Sequence, residues 1–320
     1  MQAFLLATAA LLFSSFHRAP SDELKRERLP ADVDFVVHLD LEGFKQTELW
    51  KQVNAMKASL DIDLGELDEF KTHYGIDPLT DVRAVTLYKV ASEEDPTVVL
   101  FSTTDKVDVA LRAFQLEPGY ALVTESGIPL HTWKTTDDGK EETVCAYVHA
   151  LAGSERVVVL ANNKASAVRA ARVLRGELPN HAQSGSLLTI APAPGSFLYV
   201  AAKGLPELAD TPASPVFGLA QGIQVDLGEA GGLLRAHMGV TTESPEKAGD
   251  LSRFIDGMLA LGSLARDQIG AAVDVLRALR LNTRGSEVTV DFEFGVRRLM
   301  DILASLDDDD DADADAPAGK

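Results

Sequence analysis

Cysteine is almost missing from this chain. Cys145 is the only one in 320 residues, so no intramolecular disulfide forms, and a core of this size needs none. It also lies too far from the N-terminus to carry a lipid. Glycosylation acceptors are missing too, because Asn54, Asn162, Asn163, Asn180 and Asn282 all lack a hydroxyl residue two positions on. Secreted eukaryotic proteins often have several of both features, so their absence favours a bacterial envelope or the extracellular space. Basic charge is scarce: 30 Lys and Arg face 49 Asp and Glu, a net charge of −19. That balance repels nucleic acid and anionic lipid headgroups. No apolar run reaches the roughly 20 residues of a spanning helix.

The local signatures of common chemistry are missing as well. There is no Gly-x-Ser-x-Gly elbow, no phosphate loop ending in Gly-Lys-Ser/Thr and no Gly-x-Gly-x-x-Gly; Gly228 to Gly232 is placed as a hairpin turn. His17, His73, His131, His149, His181 and His237 show none of the tight spacings that zinc sites use. The sequence therefore supports no catalytic, cofactor-binding or metal-ligating residue and implies no cofactor.

What is present begins with an eleven-residue uncharged run, Ala3 to Phe13, followed by Ser14, Ser15, His17 and Arg18. A run this short reads as the core of an export signal, with an uncleaved anchor or a buried helix as alternatives. The expected organisation is a signal peptide over 1–19, a charged connector over 20–32, an α+β unit over 33–178, a linker over 179–195, a second α+β unit over 196–306, and a disordered acidic tail over 307–320. Seven aspartates fall in those last fourteen residues. The tail matches a calcium loop in spacing only: Ala316 stands where such a loop needs glycine, and no bidentate glutamate follows.

In the first unit Val33, Phe35, Val37, Leu39 and Leu41 alternate with Asp34, Val36, His38 and Asp40, the period of a strand with one face in the core. Helical spacing follows at Leu49 to Leu60 and near Leu64 to His73. Strands are expected at Val82 to Val90, Thr97 to Ser102, Ala121 to Thr124, Ile128 to Thr135, Thr143 to Ala150 and Glu155 to Ala161. Helices are expected after a capping Asp105 and at Lys164 to Arg175. The second unit opens with a strand at Ser196 to Lys203 and a short helix at Pro215 to Ala220. Strands Ile223 to Glu229 and Leu233 to Thr241 follow, then a helix starting at Ser244 and Pro245 and another through Ile269, Val273, Leu276 and Leu279. Strands Ala278 to Thr283 and Glu287 to Phe294 precede a closing helix with Val296, Leu299, Met300 and Leu303. The shared order of elements, with Gly-Ser-Glu at one hairpin of each half (Gly153 to Glu155, Gly285 to Glu287), predicts two diverged repeats. Each would be a mainly antiparallel sheet with helices packed on one face.

Three features invite a chemical reading. His38 and Asp40, two apart on one strand face, could orient an imidazole or bind a metal, but they read as a solvated sheet face. Asp291 and Glu293 share a face with Glu287 and Thr289 and read the same way. Cys145, with no cationic neighbour in sequence, reads as an inert, partly buried thiol.

The segment Leu29 to Val53 (LPADVDFVVHLDLEGFKQTELWKQV) resembles the start of uncharacterised exported bacterial proteins, in which a signal peptide precedes a Pro-Ala-Asp strand and an amphipathic helix. That resemblance implies an exported α+β protein and brings no activity or functional residue with it. The sequence thus leads to an expectation of a noncatalytic exported binding or scaffold protein of the bacterial envelope. The alternatives are a hydrolase-type enzyme with a site assembled between the two units, and a self-associating structural component. The partner would be an unknown protein or envelope ligand, with no nucleic acid, no membrane span after signal cleavage and the oligomeric state open.

Overall fold

The computed structural model describes residues 23–56, 71–90, 97–117, 119–137, 140–184, 187, 192–203, 219–264 and 273–304. The expected signal peptide, acidic tail and most of the helices at Leu64 to His73 and Pro215 to Ala220 lie outside the described residues. Within them the chain is an α+β fold organised on one antiparallel sheet of twelve strands, in the order β11-β12-β10-β9-β8-β1-β2-β3-β7-β6-β5-β4.

The first half supplies β1 (Val33–Asp40), β2 (Val82–Val90), β3 (Val98–Thr104), β4 (Ala121–Glu125), β5 (Ile128–Asp137), β6 (Lys140–Ala150) and β7 (Glu155–Ala161). The second supplies β8 (Ser196–Lys203), β9 (Ala220–Ala230), β10 (Leu233–Thr242), β11 (Leu279–Arg284) and β12 (Glu287–Gly295). The halves meet where β1 pairs with β8, from Phe35 opposite Ala202 to Leu39 opposite Leu198. The principal helices are α1 (Leu41–Lys45), α2 (Glu48–Met56), α3 (Pro78–Asp81), α4 (Val107–Phe114), α5 (Lys164–Leu174), α6 (His181–Ser184), α7 (Pro245–Leu264) and α8 (Val273–Arg277), and a closing helix starts at 296.

The local chemistry accounts for several boundaries. Asp40 ends β1 and caps α1, its Oδ1 accepting from Gly43 N at 2.8 Å. Asn163 caps α5 through Ser166 N at 2.8 Å. Ser244 Oγ accepts from Lys247 N at 3.3 Å at the start of α7, as its Ser-Pro signal predicts. Asp105 does not cap α4: Lys106 occupies that position, and no side chain bonds there. Leu279, expected in a helix, belongs to β11, because its pairing with Phe292 opens the β11–β12 ladder.

Helices cover both faces of the sheet rather than one. On the first face Val36, Tyr88, Leu100, Val159 and Tyr147 pack against Ala167, Val168, Ala170 and Ala171 of α5. On the opposite face Val158 packs with Val107 and Ala110 of α4. That same face carries Phe197, Leu234 and Phe292 under α1, α2 and the closing helix, and Val240 and Val288 under α7. The reason is legible in β7, where Val157, Val158, Val159, Leu160 and Ala161 form an unbroken apolar run that demands burial on both sides.

Gly228 marks the tightest approach in the sheet. A methyl group there would meet Gly195 O at 2.7 Å and Ser196 Cα at 2.8 Å, both backbone atoms that cannot swing aside. Gly228→Ala should therefore destabilise the fold by about 1–3 kcal/mol, read from chemical unfolding. An unchanged midpoint would show that the β8–β9 ladder yields more easily than its contacts imply.

Candidate functional site

The sheet places His38 and Asp40 at the seam between the halves, where β1 has β2 on one side and β8 on the other. Both side chains are buried, correcting the expectation of a solvated face: His38 is 5% exposed and Asp40 1%. Each makes a polar contact close by. His38 Nδ1 lies 2.8 Å from Thr86 Oγ1, and Asp40 holds the N-terminus of α1. The cover comes from segments distant in sequence. Leu29 is fully buried over this face, and His181 N donates to Leu29 O at 2.8 Å, tying α6 to the N-terminal segment. His38 borders only a hollow of about 10 Å³, room for a water molecule at most.

The same face continues into the second half through Tyr199, opposite His38, and Asp226, opposite Tyr199. Burial pushes the Tyr199 phenol far above its ordinary pKa. Asp226 accepts from Ala193 N at 2.6 Å and from the Ser196 hydroxyl, so it anchors the chain entering β8. Farther out the face is open and polar. Asp291 pairs with His237 at 2.7 Å and Glu293 with Arg235 at 2.8 Å, in keeping with an exposed carboxylate row. Cys145 is fully buried rather than partly so, and burial raises its thiol pKa, which leaves the unreactive thiol form dominant. Among the described residues no three His, Cys, Asp or Glu side chains gather at metal-binding spacing, and no helix is long and apolar enough to cross a membrane.

A larger concavity lies elsewhere. A groove of about 830 Å³ runs along α5, between the Pro30–Asp32 segment, the tip of the β4–β5 hairpin and Leu178–Pro179. Its volume falls in the range of small-molecule sites. The hairpin tip is a two-residue turn in which Ser126 (φ 50°) and Gly127 (φ 79°) both take left-handed conformations, which fixes how Glu125 and Ser126 project over the groove. Ala165, Val168, Val173 and Leu178 supply an apolar floor, and Lys164, Arg169 and Arg172 line it with positive charge. Arg169 is held by Asp32, with Nη2 2.6 Å from Oδ2, and Arg172 by Glu177 at 3.3 Å. Lys164 makes no ion pair among the described residues and stands at the positive end of the α5 dipole.

Sequence reasoning does not reach this groove. The available signal is the charge of α5, where Lys164, Arg169 and Arg172 occur without one acidic residue in a chain of net charge −19. A second hollow, about 600 Å³, lies where the halves meet at the opposite face, and each of its charged side chains has a partner. There Glu229 accepts from Glu48 N and Leu49 N at 2.8 and 2.9 Å, and Glu48 faces Arg297 at 3.4 Å.

No known family model matches this chain, and no curated protein does. Among solved structures, crystal form III of a protein named TP0453 aligns with a TM-score of 0.49 at 10% identity, over 90% of this chain and 100% of that one. Crystal form IV gives 0.47 at 11% identity, over 89% and 98%. No statement about function follows from a likeness of this degree.

Burial also depresses the pKa of His131, His149 and His181; nearby cations add to the effect at His149 (Arg175, Arg28) and at His181 (Arg26, Lys203). The unfolded chain therefore binds protons at these rings at higher pH than the folded one does. Their contribution to stability is fully present above the unfolded pKa of about 6.5 and is lost as pH falls through it toward the folded values. His181→Gln should flatten the fall in unfolding midpoint between about pH 7.5 and 5.5. An identical slope in variant and parent would remove His181 from this account.

Proposed function

We propose that this chain is a noncatalytic binding protein, exported to a bacterial envelope, whose ligand lies in the groove along α5. The observation that carries the proposal is the groove itself: an apolar floor flanked by cations on a strongly acidic molecule. The ligand suited to it joins an apolar surface to an acidic group, the apolar part lying along Ala165 and Val168 and the acidic group meeting Lys164. The hydrolase alternative depends on His38 and Asp40, and their burial beneath Leu29 and α6 weighs against it. Export rests on the Ala3 to Phe13 run.

We also infer that the two halves are diverged copies. The strand order β1-β2-β3-β7-β6 runs outward from the seam as β8-β9-β10-β12-β11 does on the other side. Both Gly-Ser-Glu sequences fall at matching hairpins, β6–β7 and β11–β12, with Gly153 and Gly285 at positive φ (68° and 58°). In this scheme the β4–β5 hairpin belongs to the first copy alone. The helix after β7 covers one face of the sheet, and its counterpart after β12 covers the other. The groove is then built from what distinguishes the copies.

Anilinonaphthalene sulfonate, an aromatic body with one acidic group, is a suitable probe. The protein should bind it saturably at one site, and Ala165→Trp, which fills the groove from an exposed position, should weaken binding about tenfold or more. Lys164→Glu should do the same by charge. Binding that never saturates, or that both variants retain, would rule the groove out as the site.

A further inference from the structure

The twelve-stranded sheet is open, so it has two edges, and they are finished differently. At β11 the exposed edge carries Arg280 and Arg284, and α7 and α8 pack beside the strand. Charged residues on an edge discourage further strand pairing. The other edge, β4, has the sequence Ala-Leu-Val-Thr-Glu and among the described residues pairs only with β5. It holds no lysine, no proline and no break in register along its five residues. Leu122 is 60% exposed there, and Leu116, just beyond α4 on the same side of the sheet, is 87% exposed.

The hairpin geometry settles which backbone groups face outward. Glu125 and Ile128 close a two-residue turn, so they exchange hydrogen bonds with each other, and the direction alternates along the strand. Val123 therefore points its N–H and C=O at β5, and Leu122 and Thr124 point theirs away from the sheet. Two outward residues flanking one inward residue form a self-complementary unit. A second β4, antiparallel about a two-fold axis at Val123, sets Leu122 opposite Thr124 of the other copy, and every outward donor and acceptor of the pair is satisfied. Ala121 falls opposite Glu125, so no like charges are opposed, and the two Leu122 side chains become diagonal neighbours on one face. Shifting the axis toward the N-terminus would call on Tyr120 N, which already donates to Glu117 O at 3.1 Å.

We propose that β4 is a homodimer interface: two copies of this chain join edge to edge through β4, in register about Val123, into one continuous sheet. The interface is isologous and closes on itself, so it yields dimers and no longer arrays. It shares Glu125, at the end of β4, with the wall of the α5 groove, and ligand binding by one copy does not require the other.

Sedimentation equilibrium of the full chain at physiological ionic strength, where repulsion between two acidic molecules is screened, reads this directly. The expected result is a reversible monomer–dimer equilibrium. Thr124→Pro removes one outward N–H and leaves the pairing with β5 intact. Leu122→Lys guards the edge with charge and leaves the backbone unchanged. Each should raise the dimer Kd about tenfold or more with an unchanged circular dichroism spectrum. A parent that stays monomeric at all concentrations, as it would if β4 instead awaits an unrelated extended segment, overturns the proposal. So does a dimer whose Kd neither variant changes.

Discussion

The pairing of β1 with β8 is the constraint on which the rest of this molecule depends. Without it the chain would be two sheets, each with a further bare edge, one at β1 and the other at β8. With it, five residue pairs from Phe35–Ala202 to Leu39–Leu198 merge the halves into one sheet. The join also decides the fate of His38, Asp40 and Tyr199. At a sheet edge these side chains would meet water, but at the centre they lie between strands and beneath the segment that ends in Leu29. Local contacts offset part of the cost of burying them, as when Asp40 accepts from Gly43 N at a helix N-terminus.

Cover over this central region comes from two segments far apart in the sequence. The 24–29 segment precedes β1, α6 lies between β7 and β8, and the two are tied by the bond from His181 N to Leu29 O. Glu229 does similar work on the opposite face, where a carboxylate from the second half caps a helix of the first. The seam is thus held by backbone pairing in the sheet and by hydrogen bonds across both faces. A rigid platform of this kind suits a site whose walls come from separate segments, as those of the α5 groove do.

How much of this is legible in the sequence varies from element to element. β12 is legible because Val288, Val290, Phe292 and Phe294 alternate with polar residues, of which Asp291 and Glu293 are exposed. β8 and α5 lie within a residue of their expected ends, since turn residues bound them. β1 also alternates, yet its His38 and Asp40 are buried, because alternation reports which residues share a face and says nothing about what covers it. The cover depends on Leu29 and His181, whose proximity is a tertiary fact. The groove escapes notice for a related reason: Asp32, Glu125 and Lys164 are widely separated in sequence, and only the packing of α5 beside the β4–β5 hairpin brings them together.

Hydrogen exchange tests the central claim most directly. If the β1–β8 seam unites the molecule, the paired amides from Phe35 to Leu39 and from Leu198 to Ala202 exchange only through global unfolding, and the strands of both halves share one opening free energy. Exchange in which the residues from Ser196 onward open as a separate, less stable unit, with β8 released from β1, would contradict it.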